Sequence, residues 1–169
     1  MTNPVIVALD VPEVAEAVGL AERLAGTVGH LKVGLELFAA GGPVAVEAIA
    51  AHGPVMLDLK LHDIPTTVKK AAKVAGALGA GYLTMHAHGG SAMMRAGAEG
   101  LAEGASNAGL AAPTALAITV LTSDDTAPDH IVPNRLRSAI EAGCGGIVCS
   151  APDLKSIGEM APRIMRVTP

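Results

Sequence analysis

Aromatic side chains are almost absent. Tryptophan does not occur, and Phe38 and Tyr82 are the only aromatics among 169 residues. Proteins that hold single-stranded nucleic acid stack bases on aromatic rings, and this chain has almost no material for that. A basic excess is missing too. Twelve Lys and Arg face sixteen Asp and Glu, a net charge of -4, so nothing suggests a surface for nucleic-acid phosphates. Cysteine occurs twice, at Cys144 and Cys149, without C-x-x-C spacing or a histidine-rich neighbourhood. The pair therefore reads as reduced, buried small residues rather than a disulfide. The N-terminus shows no basic segment followed by an apolar one, so no signal peptide is expected and the cytoplasm is the default location. The uncharged stretch "VAGALGAGYLTMHAHGGSAMM" is broken by glycines and two histidines. It reads as helix end, turn and strand, not as a membrane span.

What remains is apolar and regularly punctuated. Half of the residues are hydrophobic and 17% are charged, the composition of a well-buried α/β protein. Short β-like runs alternate with Ala-rich helical runs. "PVIVALD" reads as a strand, and a helix follows from Pro12 and Glu13 to about Ala25. "HLKVGLELF" is a second strand, and "GGPVAVEAIAAHG" a helix closed by Gly53. "VMLDLKLHD" is the third strand, with Pro65 opening the next helix. "YLTMHA" with "GGSAMMRAGAEGLAEGA", "TALAITVLT" with residues 134–142, and "GGIVCSA" with "PDLKSIGEM" repeat the unit, and "RIMRVTP" is a last strand. Strict alternation predicts a parallel sheet in one domain, 1–169. A doubly wound sheet would place a Gly-rich phosphate turn after its first strand, but "ALDVPEVAEA" contains none. A (β/α)8 barrel fits better. Such barrels run to about 250 residues, so this one is incomplete, lacking a last helix, strand and helix.

The third strand carries the unusual chemistry. With period two, Val55, Leu57, Leu59 and Leu61 share one face, and Met56, Asp58, Lys60 and His62 share the other. Asp58 and Lys60 thus project together, with Asp63 just past the strand end. Buried charges require partners, and Lys32 on the preceding strand can join these two. Pre-arranged charges at the C-terminal mouth of a barrel mark a reaction centre more often than a structural network. Other polar residues at strand ends are Asp10, His86, His88, Thr122 and Ser123. Each also has a plain reading: Asp10 as part of a helix cap, Lys32 as a lysine reaching for solvent, His86 and His88 as rim histidines, Thr122 and Ser123 as caps.

"DLKLHDIPTTV" closely resembles the signature D-x-K-x-x-D-I-P-x-T of the orotidine 5'-phosphate decarboxylases. "VALD", "LKVGLELF", "MHAHGG", "LTS" and "VTP" agree with that family in order, so the resemblance covers essentially the whole chain. It implies a (β/α)8 barrel, a homodimer with shared active sites, and conversion of orotidine 5'-monophosphate to uridine 5'-monophosphate and carbon dioxide in pyrimidine biosynthesis. It implies no cofactor and no metal, and composition has already spoken against a nucleic-acid or membrane partner. Carried over, Lys32, Asp58 and Lys60 match the charged network, with Lys60 as general acid. Asp63 matches an acid that reaches the neighbouring subunit's site, with Ile64 and Thr67 beside it. Asp10 matches a ribose contact and Ser123 a residue near the pyrimidine. His86 matches a family histidine without an assigned catalytic role.

Two rival readings stay open. Hexulose-phosphate synthase and related sugar-phosphate lyases share the D-x-K-x-x-D core, but resemblance to them would require a magnesium-binding glutamate where this chain has Lys32. The other rival is a non-catalytic fragment. In the decarboxylase family "VTP" is followed by a phosphate-gripping loop and an eighth strand, which do not occur in these residues. The chain as written is therefore expected to turn the nucleotide over poorly.

Overall fold

A computed structural model describes residues 3–120, 128 and 130–169. The predicted alternation is present. The chain runs β1 (Ile6–Ala8), α1 (Val14–Leu24), β2 (His30–Gly34), α2 (Leu35–Ala50), β3 (Val55–Leu61), α3 (Pro65–Ala77), β4 (Ala80–His86), α4 (Gly90–Asn107), β5 (Thr114–Ile118), α5 (Ile131–Glu141), β6 (Gly146–Val148), α6 (Leu154–Met160) and β7 (Met165–Val167). All pairings are parallel and each strand pairs with its neighbour in sequence, in the order β1 to β7. Residues of β1, β3, β5, β6 and β7 line one common cavity. The sheet is therefore curved around an axis rather than open and flat, the arrangement of a barrel wall.

One predicted boundary moves. The strand expected over "HLKVGLELF" ends at Gly34, and Leu35 to Phe38 are helical. Gly34 is extended and caps the helix (φ -88, ψ -179). Leu37 is buried there, whereas Leu35 is half exposed, the 3.6-residue pattern of a helix instead of alternation. The same helix kinks at Gly42, whose φ of 54 and ψ of -145 suit glycine. Pro43 then starts its second half, where its missing N–H is harmless.

The core is built from Leu9, Leu31, Val33, Leu57, Leu83, Met85 and their neighbours beneath the helices. Helices α3 and α4 pack through glycines. A Cβ at Gly104 would overlap the Lys73 carbonyl, one at Gly100 the Lys69 carbonyl, and one at Gly76 the Leu101 carbonyl. The two backbones are thus nearly in contact, with Lys69–Glu99 (3.2 Å) and Lys73–Glu103 (2.5 Å) pairs along the rim. Cys144 and Cys149 are free and buried, as expected. Burial pushes the Cys144 thiol up to about 11, so it is uncharged and inert at neutral pH.

Candidate active site

Four charged side chains converge at the C-terminal ends of β1, β2 and β3. Lys32 Nζ lies 3.0 Å from Asp10 Oδ1 and 3.7 Å from Asp58 Oδ2. Lys60 Nζ donates to Asp58 Oδ2 at 2.7 Å. Asp10, Lys32, Asp58 and Lys60 therefore form an alternating row of acid, base, acid and base. Asp10 is not a helix cap, since the N-cap of α1 is Glu13. Lys32 does not simply reach for water, because its ammonium sits between two carboxylates.

The row forms one wall of a cavity of about 510 Å3. Ile118, Val120, Val148 and Val167 line it as well. All four charged lining residues thus come from the first three strands and their ends, beside Ile6, Ala8 and Met56, while the last three strands contribute apolar side chains. Met56 shares the cavity with Asp58 and Lys60, while Val55 and Leu57 point into the core. The face assignment read from alternation holds from Val55 to Leu61, whereas His62, past the end of β3, does not line the cavity and sits instead against His86 and His88.

The backbone around Lys60 is not an ordinary strand. Pairing between β3 and β4 is regular at Leu57↔Leu83 and resumes only at Leu61↔Met85. Four steps on β3 oppose two on β4, so β3 bulges. Lys60 adopts φ 52, the only positive value at a non-glycine among the described residues. Such a conformation in a residue with a Cβ is strained by about 1–3 kcal/mol and persists only where its surroundings enforce it. Its N–H, displaced from the strand ladder, donates to Thr84 Oγ1 at 2.9 Å. Thr84 Oγ1 in turn donates to Asp58 Oδ1 at 2.9 Å. Sequence reasoning missed Thr84, a fully buried residue of β4.

Burial of Asp58 opposes its ionisation, but hydrogen bonds from Lys60 and Thr84, and the charges of Lys60 and Lys32, outweigh it. Its pKa lies below the ordinary aspartate value of 3.8. A depressed carboxylate stabilises the fold above its unfolded pKa, and that stability is lost as pH falls through the folded one. Denaturant titrations of parent and Asp58→Asn should therefore differ by a constant amount at neutral and mildly acidic pH. The gap should close only below 3.8, and a gap closing near pH 6 would contradict the assignment.

The remaining candidates lie apart from the cavity. Asp63 Oδ1 accepts the Ile64 N–H at 2.7 Å, and the Thr67 N–H bonds the Ile64 carbonyl. All three are exposed at the start of α3, and Ile64 is 66% exposed. His62, His86 and His88 meet at the rim, with ring centroids 5.7 and 5.5 Å from His62. Arg135 Nη2 stands 3.2 Å from His88 Nδ1. Burial lowers the His86 pKa, and the neighbouring His62, Lys60, Arg135 and His88 lower it further. Thr122 and Ser123 lie outside the described residues. Among the described residues, no group of three or more His, Cys, Asp or Glu is arranged to hold a metal ion. No described helix is long and apolar enough to cross a membrane.

The model of a family described as "Orotidine 5'-phosphate decarboxylase / HUMPS family" matches residues 3–169. The orotidine 5'-phosphate decarboxylase of Paramagnetospirillum magneticum is 45% identical over 168 residues, covering 93% of this chain and 72% of the relative. That of an Anaeromyxobacter species is 48% identical over 161 residues, covering 89% of this chain and 67% of the relative. The crystal structure of orotidine 5'-phosphate decarboxylase from Lactobacillus acidophilus superposes with a TM-score of 0.81 at 35% identity, covering 93% of this chain and 75% of that one. The seven parallel strands accordingly belong to a (β/α)8 barrel, of which this chain holds the first seven.

Proposed function

Because the chain belongs to the orotidine 5'-phosphate decarboxylase / HUMPS family, we propose that it carries the decarboxylation machinery for orotidine 5'-monophosphate, with Lys60 as the proton donor. The observation that carries this reading is the position of Lys32. Its ammonium lies between Asp10 and Asp58, and so fills with a fixed positive charge the place where a metal-dependent lyase of the same fold would bind a cation. An array that is already neutralised has no electrostatic demand for a divalent ion there.

The chemistry follows from the charges. In this reading the pyrimidine ring lies against the apolar wall of Ile118, Val148 and Val167, with its C6 edge toward Asp58 and Lys60. The C6–carboxylate bond breaks, carbon dioxide leaves, and the electron pair stays on C6. The substrate carboxylate is placed near Asp58, so like charges crowd the bound ground state and separate as the bond breaks. The Lys60 ammonium lies beside the developing negative charge and stabilises it without reorganising. It then gives its proton to C6 as general acid and regains one from solvent. Asp58 keeps Lys60 charged and aimed, and Lys32 holds Asp58 and Asp10 in place. Asp10 is at the cavity edge, suited to a ribose hydroxyl. Ser123 is assigned to the pyrimidine by family resemblance alone.

The direct test is release of labelled carbon dioxide from carboxyl-labelled orotidine 5'-monophosphate by a form spanning the full length of the relatives, before and after exhaustive chelation. Equal rates are expected. A rate that collapses on chelation and returns with magnesium would instead favour the sugar-phosphate lyase reading.

The reading includes a homodimer with shared sites. Asp63, Ile64 and Thr67 are exposed beside, but not in, the cavity, as residues that serve a neighbour's site would be. Co-refolding a full-length Asp63→Ala chain with a full-length Lys60→Ala chain should restore activity, because one site of each hybrid keeps both residues. Statistical exchange would leave about a quarter of the sites intact. No recovery after subunit exchange has been verified would refute the shared site.

A further inference from the structure

We propose that Thr84 is a positioning residue for the charged pair, holding Asp58 and Lys60 in register through one hydroxyl that accepts from the Lys60 backbone and donates to the Asp58 side chain. The geometry leaves this group few alternatives. A hydroxyl has one proton and two lone pairs. Here the proton goes to Asp58 Oδ1 at 2.9 Å, and one lone pair takes the Lys60 N–H at 2.9 Å. The other Asp58 oxygen is left for Lys60 Nζ at 2.7 Å and Lys32 Nζ at 3.7 Å. Thr84 thus decides which carboxylate oxygen faces the ammonium groups.

The bulge makes this role necessary. Between Leu57 and Leu61, β3 leaves its ladder with β4, so the Lys60 N–H has no strand carbonyl to meet. Without Thr84 a partly buried donor would lose its partner, and the left-handed turn at Lys60 would lose the contact that ties it to β4. A β-branched residue suits the task, since its χ1 is restricted. Valine has the same shape and β-branching but no hydroxyl. Serine has the hydroxyl without the methyl. The pair therefore separates hydrogen bonding from packing.

The inference rests on the decarboxylase reading only for its kinetic readout, and a second readout is independent of substrate. In Thr84→Val the Asp58 carboxylate, followed by carbon NMR through an acid titration, should shift to higher pKa, because a donor to its ionised form is gone. In Thr84→Ser it should stay near the parent. In the full-length enzyme, Thr84→Val should lower kcat on the order of 10- to 100-fold, the effect seen when a hydrogen-bond partner that orients a metal-binding side chain is removed. KM should change by less than about threefold, since uniform binding is not what the hydroxyl supplies. Thr84→Ser should recover most of kcat. If Thr84→Val proves too unstable to study, Thr84→Ala takes its place, with the same upward Asp58 shift expected. An Asp58 titration unmoved in Thr84→Val or Thr84→Ala would overturn the proposal, as would equal damage in the serine and valine variants. A parent without decarboxylase activity would sink the functional reading and leave the Asp58 titration as the deciding result for Thr84.

Discussion

Lys60→Ala should lower kcat for decarboxylation on the order of 10^4-fold or more, since it removes both the nearest positive charge and the proton donor. Arginine should not restore it. A guanidinium keeps the charge but does not give up its proton near neutral pH. Stability should respond differently from activity. The Lys60 side chain is about one-third exposed, so its ion pair adds little to the fold, about 1 kcal/mol at most. Its backbone matters more, because φ is 52. Lys60→Gly relieves that conformation and should be more stable than Lys60→Ala by about 1 kcal/mol, while being equally inactive. Melting curves and initial rates on the same three variants check both halves. A Lys60→Ala enzyme retaining most of its kcat would remove the general-acid assignment.

The second large effect lies far from the cavity. Gly104→Val should destabilise the protein by on the order of 3 kcal/mol or more, beyond most substitutions. The added Cβ would overlap the Lys73 carbonyl and crowd the Ala77 amide. Both are helical backbone, which cannot step aside as a side chain does. Relief requires α3 and α4 to separate, and with them the close packing that covers β4 and β5 from outside. Gly19 in α1 is the control. A Cβ there meets nothing within 4 Å, so Gly19→Ala should stabilise by about 0.4–1 kcal/mol through lost chain entropy. Denaturant unfolding of both variants decides the matter. Equal, small effects at the two positions would mean that the helices are not in backbone contact.

The difference between those glycines is not written in the sequence, where both are glycine in a helical run. Much else is legible there. Alternation across "VMLDLKL" fixes which side chains of β3 face the cavity, because burial on one side leaves no freedom of register. Pro65 marks the start of α3. The acid–base spacing at Asp58 and Lys60 survives because the bulge turns both residues toward the same space. The bulge itself gives no signal, since its left-handed residue is a lysine and not the glycine or asparagine that would advertise it. Thr84 was invisible for the same reason: its task exists only because β3 leaves the ladder. Leu35 and Leu37 continued an apolar alternation that a helix satisfies equally well with Leu37 alone inside. Asp63, Ile64 and Thr67 are identified by family resemblance, and this chain by itself does not gather them into the cavity.

The central claim is that Lys60 exchanges a proton with C6 of the pyrimidine. By microscopic reversibility, a group that delivers this proton also removes it from the product. Uridine 5'-monophosphate incubated with the full-length enzyme in deuterium oxide should therefore exchange its C6 hydrogen, seen by proton NMR as loss of that resonance while the C5 signal persists. The account predicts exchange with the parent and none above background with Lys60→Ala. Exchange at the parental rate in the Lys60→Ala enzyme would contradict it.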